Sequence, residues 1–209
     1  MTSLPLTEPP PEDDGARTSH RYLFQYCCAA ARLLAALATG TSCELICEWH
    51  EDYLVVGDGG TEAVSVKHRE DHRPAWTIAS LTSDDGKLRH LLDTFGRAEG
   101  ITCSFESNRA HTAHDLWCDD PDRREAARSD LGKRLGVPHA DVDEFVDNLS
   151  IITPPAPGRH HIASTYAANY ASPALDRLGI AGLSASQAMH IAASMVGDAS
   201  RDRIATTPG

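Results

Sequence analysis

The chain has 209 residues, enough for one domain with a small appendage and a sizeable core. Hydrophobic residues make up 41% and charged residues 23%, ordinary globular values that exclude general disorder. The formal charge of −11 argues against a protein that coats nucleic acid, but leaves room for a local basic groove.

Residues 1–17 (including PLTEPPPEDDG) read as a disordered acidic, Pro-rich lead with neither a basic nor an apolar leader region. A first helix is expected from about Arg21 to Thr39, with Phe24, Cys27, Ala31 and Leu34 recurring at helical spacing and Gly40 as its stop. The uncharged runs Tyr22–Ala31 and Leu33–Cys43 are each shorter than the ~20 residues of a bilayer span, so no membrane association and a cytoplasmic location are expected. Six cysteines in such a chain read as reduced, mostly buried thiols.

Cys43–Val56 reads as extended chain, and Gly57-Asp58-Gly59-Gly60 is the strongest turn signal in the sequence. Thr61–His68 is then a second strand, making Tyr53–His68 a hairpin. A helix bearing Leu88, Leu91, Leu92 and Phe95 follows, then a strand Ile101–Ser107. Two short helices, Arg123–Leu135 and Asp141–Leu149, precede a short strand Ser150–Thr153 and the run Pro154-Pro155-Ala156-Pro157-Gly158. Two further helices, about Ile162–Leu178 and Ser184–Ala199, form an annex. The fold class is α/β, a mixed sheet flanked by helices with a small C-terminal helical annex. The expected divisions are 1–17, 18–157 and 158–209.

The chemistry collects on the hairpin. With a two- or four-residue turn centred on Asp58-Gly59, opposed residues sum to 117, and Asp52 faces Ser65. On an unbroken strand Glu48, His50 and Asp52 share one face, and Ser65 and Lys67 lie on that same face of the partner. Carboxylates, a hydroxyl and an ammonium gathered there are the groups that phosphodiester hydrolysis needs. Carboxylates hold Mg²⁺, and a nearby lysine orients water or stabilises developing charge. A cross-strand ion pair between Asp52 and Lys67 would have the same spacing with no chemistry attached. Only three of the nineteen basic residues are lysine (Lys67, Lys87, Lys133).

This arrangement resembles the core of the PD-(D/E)xK restriction-endonuclease-like superfamily. WHEDYLVV…GGTEAVSVKHR is similar to the double-stranded-DNA nuclease domain of antiphage effectors in cyclic-oligonucleotide (CBASS) defence systems. The resemblance covers roughly Arg21 to Pro155 and takes in RYLFQY, CEWHED, SVKHR and SFESN before Arg109. It implies Mg²⁺-dependent cleavage of double-stranded DNA (Mn²⁺ substituting), with Asp52 and the main chain at Val66 on the metal and Lys67 catalytic. Gln25 and Glu48 are implied as supporting site residues, Glu48 also as a carboxylate for the metal. By their place beside the site, His68, His72, Arg69 and Arg73 are read either as phosphate contacts or as a solvated loop.

Two departures qualify what the family implies. Ser65 stands where the pattern has Gln or Glu, and a serine would reach a metal only through water. That motivates an alternative, a catalytically impaired scaffold that binds DNA or a partner. The chain also leaves little room for a cyclic-oligonucleotide sensor domain, which would then be a separate partner or further sequence, with homo-oligomers forming in the active state. His111-x2-His114-x3-Cys118 reads as a polar segment rather than a zinc site, and Arg123–Arg134 as a salt-bridged surface helix.

Overall fold

In the computed structural model, residues 14–47, 52–70, 72–153 and 162–206 are described. A helix α1, Asp14–Thr39, leads into β1, Cys43–Cys47, β2, Tyr53–Gly57, and β3, Gly60–Lys67. Short α2, Ile78–Leu81, and α3, Leu88–Phe95, connect to β4, Ile101–Ser107. A 3₁₀ turn at His114–Trp117, α4, Pro121–Leu135, and α5, His139–Asp147, lead to β5, Leu149–Ile152. The annex consists of α6, Ile162–Tyr166, a π-helical turn Ala167–Ala171, α7, Ser172–Leu178, and α8, Ala185–Thr206.

The strands form one five-stranded sheet in chain order. The β1–β2 and β2–β3 pairs are antiparallel, and β3–β4 and β4–β5 are parallel. Parallel neighbours need long crossovers, and α2–α3 and α4–α5 supply them. The β2–β3 register pairs Gly57 with Gly60 and Tyr53 with Val64, so the turn is the two residues Asp58-Gly59 and the predicted sum of 117 holds.

Two expectations need correction. The chain from Cys43 to Val56 is not one strand: Cys47 pairs with Tyr53 across a reversal. The apolar runs CELIC and YLVVG pair with each other. The unbroken strand that would align Glu48, His50 and Asp52 is therefore absent, and Glu48 and His50 lie outside the described residues. Second, the helix begins at Asp14, inside the segment expected to be disordered.

The sheet separates two cores. On one face Tyr53, Val64 and Val66 pack with Phe24, Cys27, Cys28 and Leu34 of α1, and with Tyr166, Met189 and Val196 of the annex. On the other, Ala63, Cys103 and Phe105 pack with Leu88, Leu91, Leu131, Phe145 and Trp76. Alternation along β3 sends Val64 one way and Ala63 the other. Residues Arg21–Thr39 of α1 are long and apolar enough to cross a membrane by length and composition. In the fold this stretch supplies the centre of the first core. The annex helix is continuous but bulged, with Ser172 N–H donating to Ala167 five residues back. Pro173 follows immediately and has no N–H to continue the normal ladder.

Candidate active site

The β2–β3 ladder ends at Tyr53–Val64, which leaves the Val66 N–H without a β2 carbonyl. Asp52, the bend residue just before β2, turns its carboxylate in to accept that N–H, with Oδ2 at 2.5 Å from the nitrogen. The same oxygen accepts from Lys67 Nζ at 3.2 Å and from Ser65 Oγ at 3.5 Å. Gln25 on α1 donates from Nε2 to the Asp52 carbonyl at 3.4 Å, tying the helix to the bend. Asp52 thus reaches Ser65 from beyond the end of the ladder, not from a position across it.

Asp52 and Lys67 side chains are each about a quarter exposed or less (24% and 21%), whereas Ser65 is buried. Both exposed groups line an open cleft of about 680 Å³. Its wall includes Gln25, Val66, His68, Arg69 and Arg73, so seven of the residues expected at the site come together there. Ser65 sits beneath the wall, and Glu48 lies outside the described residues. Sequence reasoning missed Arg21, Tyr22, Glu70, Trp76, Asp84, Asp85 and Lys87, which complete the lining. Of these, Lys87 carried a usable signal, being one of three lysines in the chain.

Arg69 is fastened in place. Its guanidinium lies 3.8 Å over the Trp76 ring and donates to the Pro74 and Ala75 carbonyls. Its main chain exchanges two hydrogen bonds with the Asn108 side chain. Burial is the main cause that lowers the Arg69 pKa from its ordinary value; Asp85 opposes the shift, and Arg73 and Arg109 add to it. His68 meets Phe24 edge-on.

A polar network runs behind the cleft, under α1. Arg32 donates to Glu106 at 2.6 Å and to Glu62 at 3.1 Å, and Tyr53 OH donates to Glu106 at 3.1 Å. Ser104 donates to Glu62. Burial works against the Arg32 charge, but Glu106 and then Glu62 outweigh it and raise its pKa. Glu106 pairs in register with Val66, the residue that donates to Asp52.

Residues 13–111 match the Cap4 dsDNA endonuclease domain. The Cap4-like segment contains every lining residue of the cleft and ends in the loop after β4. It stops short of the expected limit at Pro155. Comparison with curated proteins gives no match. Among solved structures, the chain is similar to the Cap4 SAVED/CARF-domain containing receptor of Moraxella osloensis (12% identity, TM-score 0.49), over 89% of this chain and 44% of that one. It is also similar to the Acinetobacter baumannii Cap4 SAVED/CARF-domain containing receptor with the cyclic trinucleotide 2'3'3'-cAAA (14% identity, TM-score 0.47), over 83% of this chain and 40% of that one. The chain therefore spans less than half the length of either receptor.

Proposed function

We propose that the cleft cleaves double-stranded DNA by metal-dependent phosphodiester hydrolysis, as the nuclease part of an antiphage CBASS effector. The observation that carries this reading is the Asp52 carboxylate within hydrogen-bonding reach of the Lys67 ammonium at the cleft wall, inside the Cap4-like segment.

The donor set fits Mg²⁺ or Mn²⁺ in its simplest form. Asp52 and the main-chain oxygen of Val66 are hard oxygen donors, and Mg²⁺ is commonly held by one or two carboxylates with water and substrate phosphate. Among the described residues no group of three or more His, Cys, Asp or Glu forms a fuller cage. Bound there, the ion would supply an activated water and neutralise charge on the phosphate. Lys67 Nζ lies 3.2 Å from Asp52 Oδ2 and stands ready to orient the attacking water or to stabilise developing charge. Gln25 fixes the bend that presents Asp52. Arg73 and His68 bring positive or polar groups to the backbone phosphates, which position DNA without reading its sequence. A cyclic-oligonucleotide sensor, in further sequence or a partner protein, and assembly into homo-oligomers would place such sites under control.

Plasmid cleavage with Mg²⁺ or Mn²⁺ tests this, comparing the wild type with Asp52→Ala and Lys67→Ala. Loss of cutting in both variants is expected; cutting that survives both removes the site.

Ser65 favours a second reading, an impaired nuclease that binds DNA as a scaffold. Its short hydroxyl is spent on Asp52 and the residue is buried, so it brings no ligand into the cleft. Under that reading Ser65→Gln gains cleavage over an inert wild type.

A further inference from the structure

The turn between α2 and α3, Ser83-Asp84-Asp85-Gly86-Lys87, forms part of the cleft wall through Asp84, Asp85 and Lys87. Lys87 has φ +55° and ψ +31°, and among the described residues it is the one non-glycine with positive φ. A left-handed conformation presses Cβ toward the following carbonyl, so a glycine would normally take this place. The turn does contain a glycine, one residue earlier, where a side chain is impossible: a Cβ on Gly86 would stand 2.3 Å from the Leu81 carbonyl oxygen and 2.5 Å from that of Ser80. The strained position is then occupied by a lysine, in a chain with only three. Its side chain makes no capping hydrogen bond, and among the described residues it has no ion-pair partner. Packing does not account for it either, since the residue is exposed.

Backbone strain kept at a cleft, with no contact that needs the side chain, points to a role in binding. We propose that Lys87 is a DNA-phosphate contact, a second lysine of the cleft that holds the duplex backbone while Lys67 serves the reacting phosphate. The inference rests on the nuclease reading above. A lysine suits this task as a compact point charge on a flexible stem. Asp84 and Asp85 flank it and Asp52 and Glu70 share the wall, against Arg21, Lys67, Arg69 and Arg73. Near-balanced charge makes each unpaired cation weigh heavily in the grip on DNA.

Lys87→Gly is the informative variant, because it removes the ammonium while relieving the left-handed strain. Duplex binding is read by fluorescence anisotropy of a labelled DNA in EDTA, across about 50 to about 200 mM salt. Wild type should bind at low salt. Lys87→Gly should melt as a folded protein, bind more weakly and lose roughly 0.9 from the slope of log K against log salt, the value for one phosphate contact. Lys87→Arg should retain the slope. A Lys87→Gly chain with wild-type affinity and slope overturns the assignment alone. A wild type that ignores duplex DNA even at low salt overturns the nuclease reading together with it.

Discussion

Arg32 Nη2 and Glu106 Oε1 meet 2.6 Å apart between α1 and the sheet. The pair anchors the helix that carries Gln25 to the strand that runs beside Val66. Glu106 keeps 6% of its side chain exposed, so it depends on Arg32 and Tyr53 for its hydrogen bonds.

Arg32→Met should therefore be costly. It leaves Glu106 buried without its cation, and removing one partner of such a pair costs about 3 kcal/mol. Converting both ends, as Arg32→Met with Glu106→Leu, should recover much of that loss, since an apolar pair needs no solvation. Urea denaturation measures both. An Arg32→Met chain within roughly 0.5 kcal/mol of wild type, the range of an ordinary surface change, would show that the pair carries no such weight.

The sequence shows part of this plainly and hides the rest. Asp58-Gly59 marks the centre of the turn by its chemistry, and a two- or a four-residue turn there gives the same register of Tyr53 on Val64. The reversal between Cys47 and Tyr53 carries no glycine or proline, so nothing local marks it. The cluster of Arg32, Glu62 and Glu106 is equally silent: the three residues lie far apart in the chain and meet only once α1 docks. Arg32 does stand as the lone charge in an apolar helix stretch, a hint of a buried partner that periodicity cannot supply.

Thiol chemistry separates the cysteines. Burial pushes Cys27 up to about 11 and raises Cys28 as well, where Glu106 adds to the effect. The thiolate is the nucleophile, so both should resist iodoacetamide at about pH 8 in the folded protein. Cys118 is only half-buried and should label first. Mass mapping of the labelled chain checks the order, and early modification of Cys27 would contradict the burial described.

Acid sensitivity should centre partly on His111. Burial, and then His114 with ring centroids 4.3 Å away, lowers its pKa below the ordinary value. Its Nδ1 accepts from the Ala113 N–H, which a protonated ring could not do. A depressed histidine stabilises the fold above its unfolded pKa of about 6.5, and that contribution is lost as pH falls below it. Melting temperature should decline from pH 7 toward pH 5 more steeply in wild type than in His111→Gln. Parallel curves would assign the acid loss to other groups.

Arg69 and Arg73 should respond differently to truncation although both line the cleft. Arg69 clamps the loop through Trp76 and the carbonyls of Pro74 and Ala75. Arg69→Ala therefore removes a cation–π contact and charge-assisted hydrogen bonds, and should cost roughly 1.5 kcal/mol of stability. Arg69→Lys keeps the charge but not the planar fork, and should recover little of it. The Arg73 side chain makes no such clamp among the described residues; its main chain is used instead, the N–H donating to Glu70 and the carbonyl accepting from Arg109. Arg73→Ala should thus melt like wild type while binding duplex DNA more weakly at low salt. Denaturation and anisotropy on the two variants separate a fastener from a phosphate contact, and equal stability losses would erase the distinction.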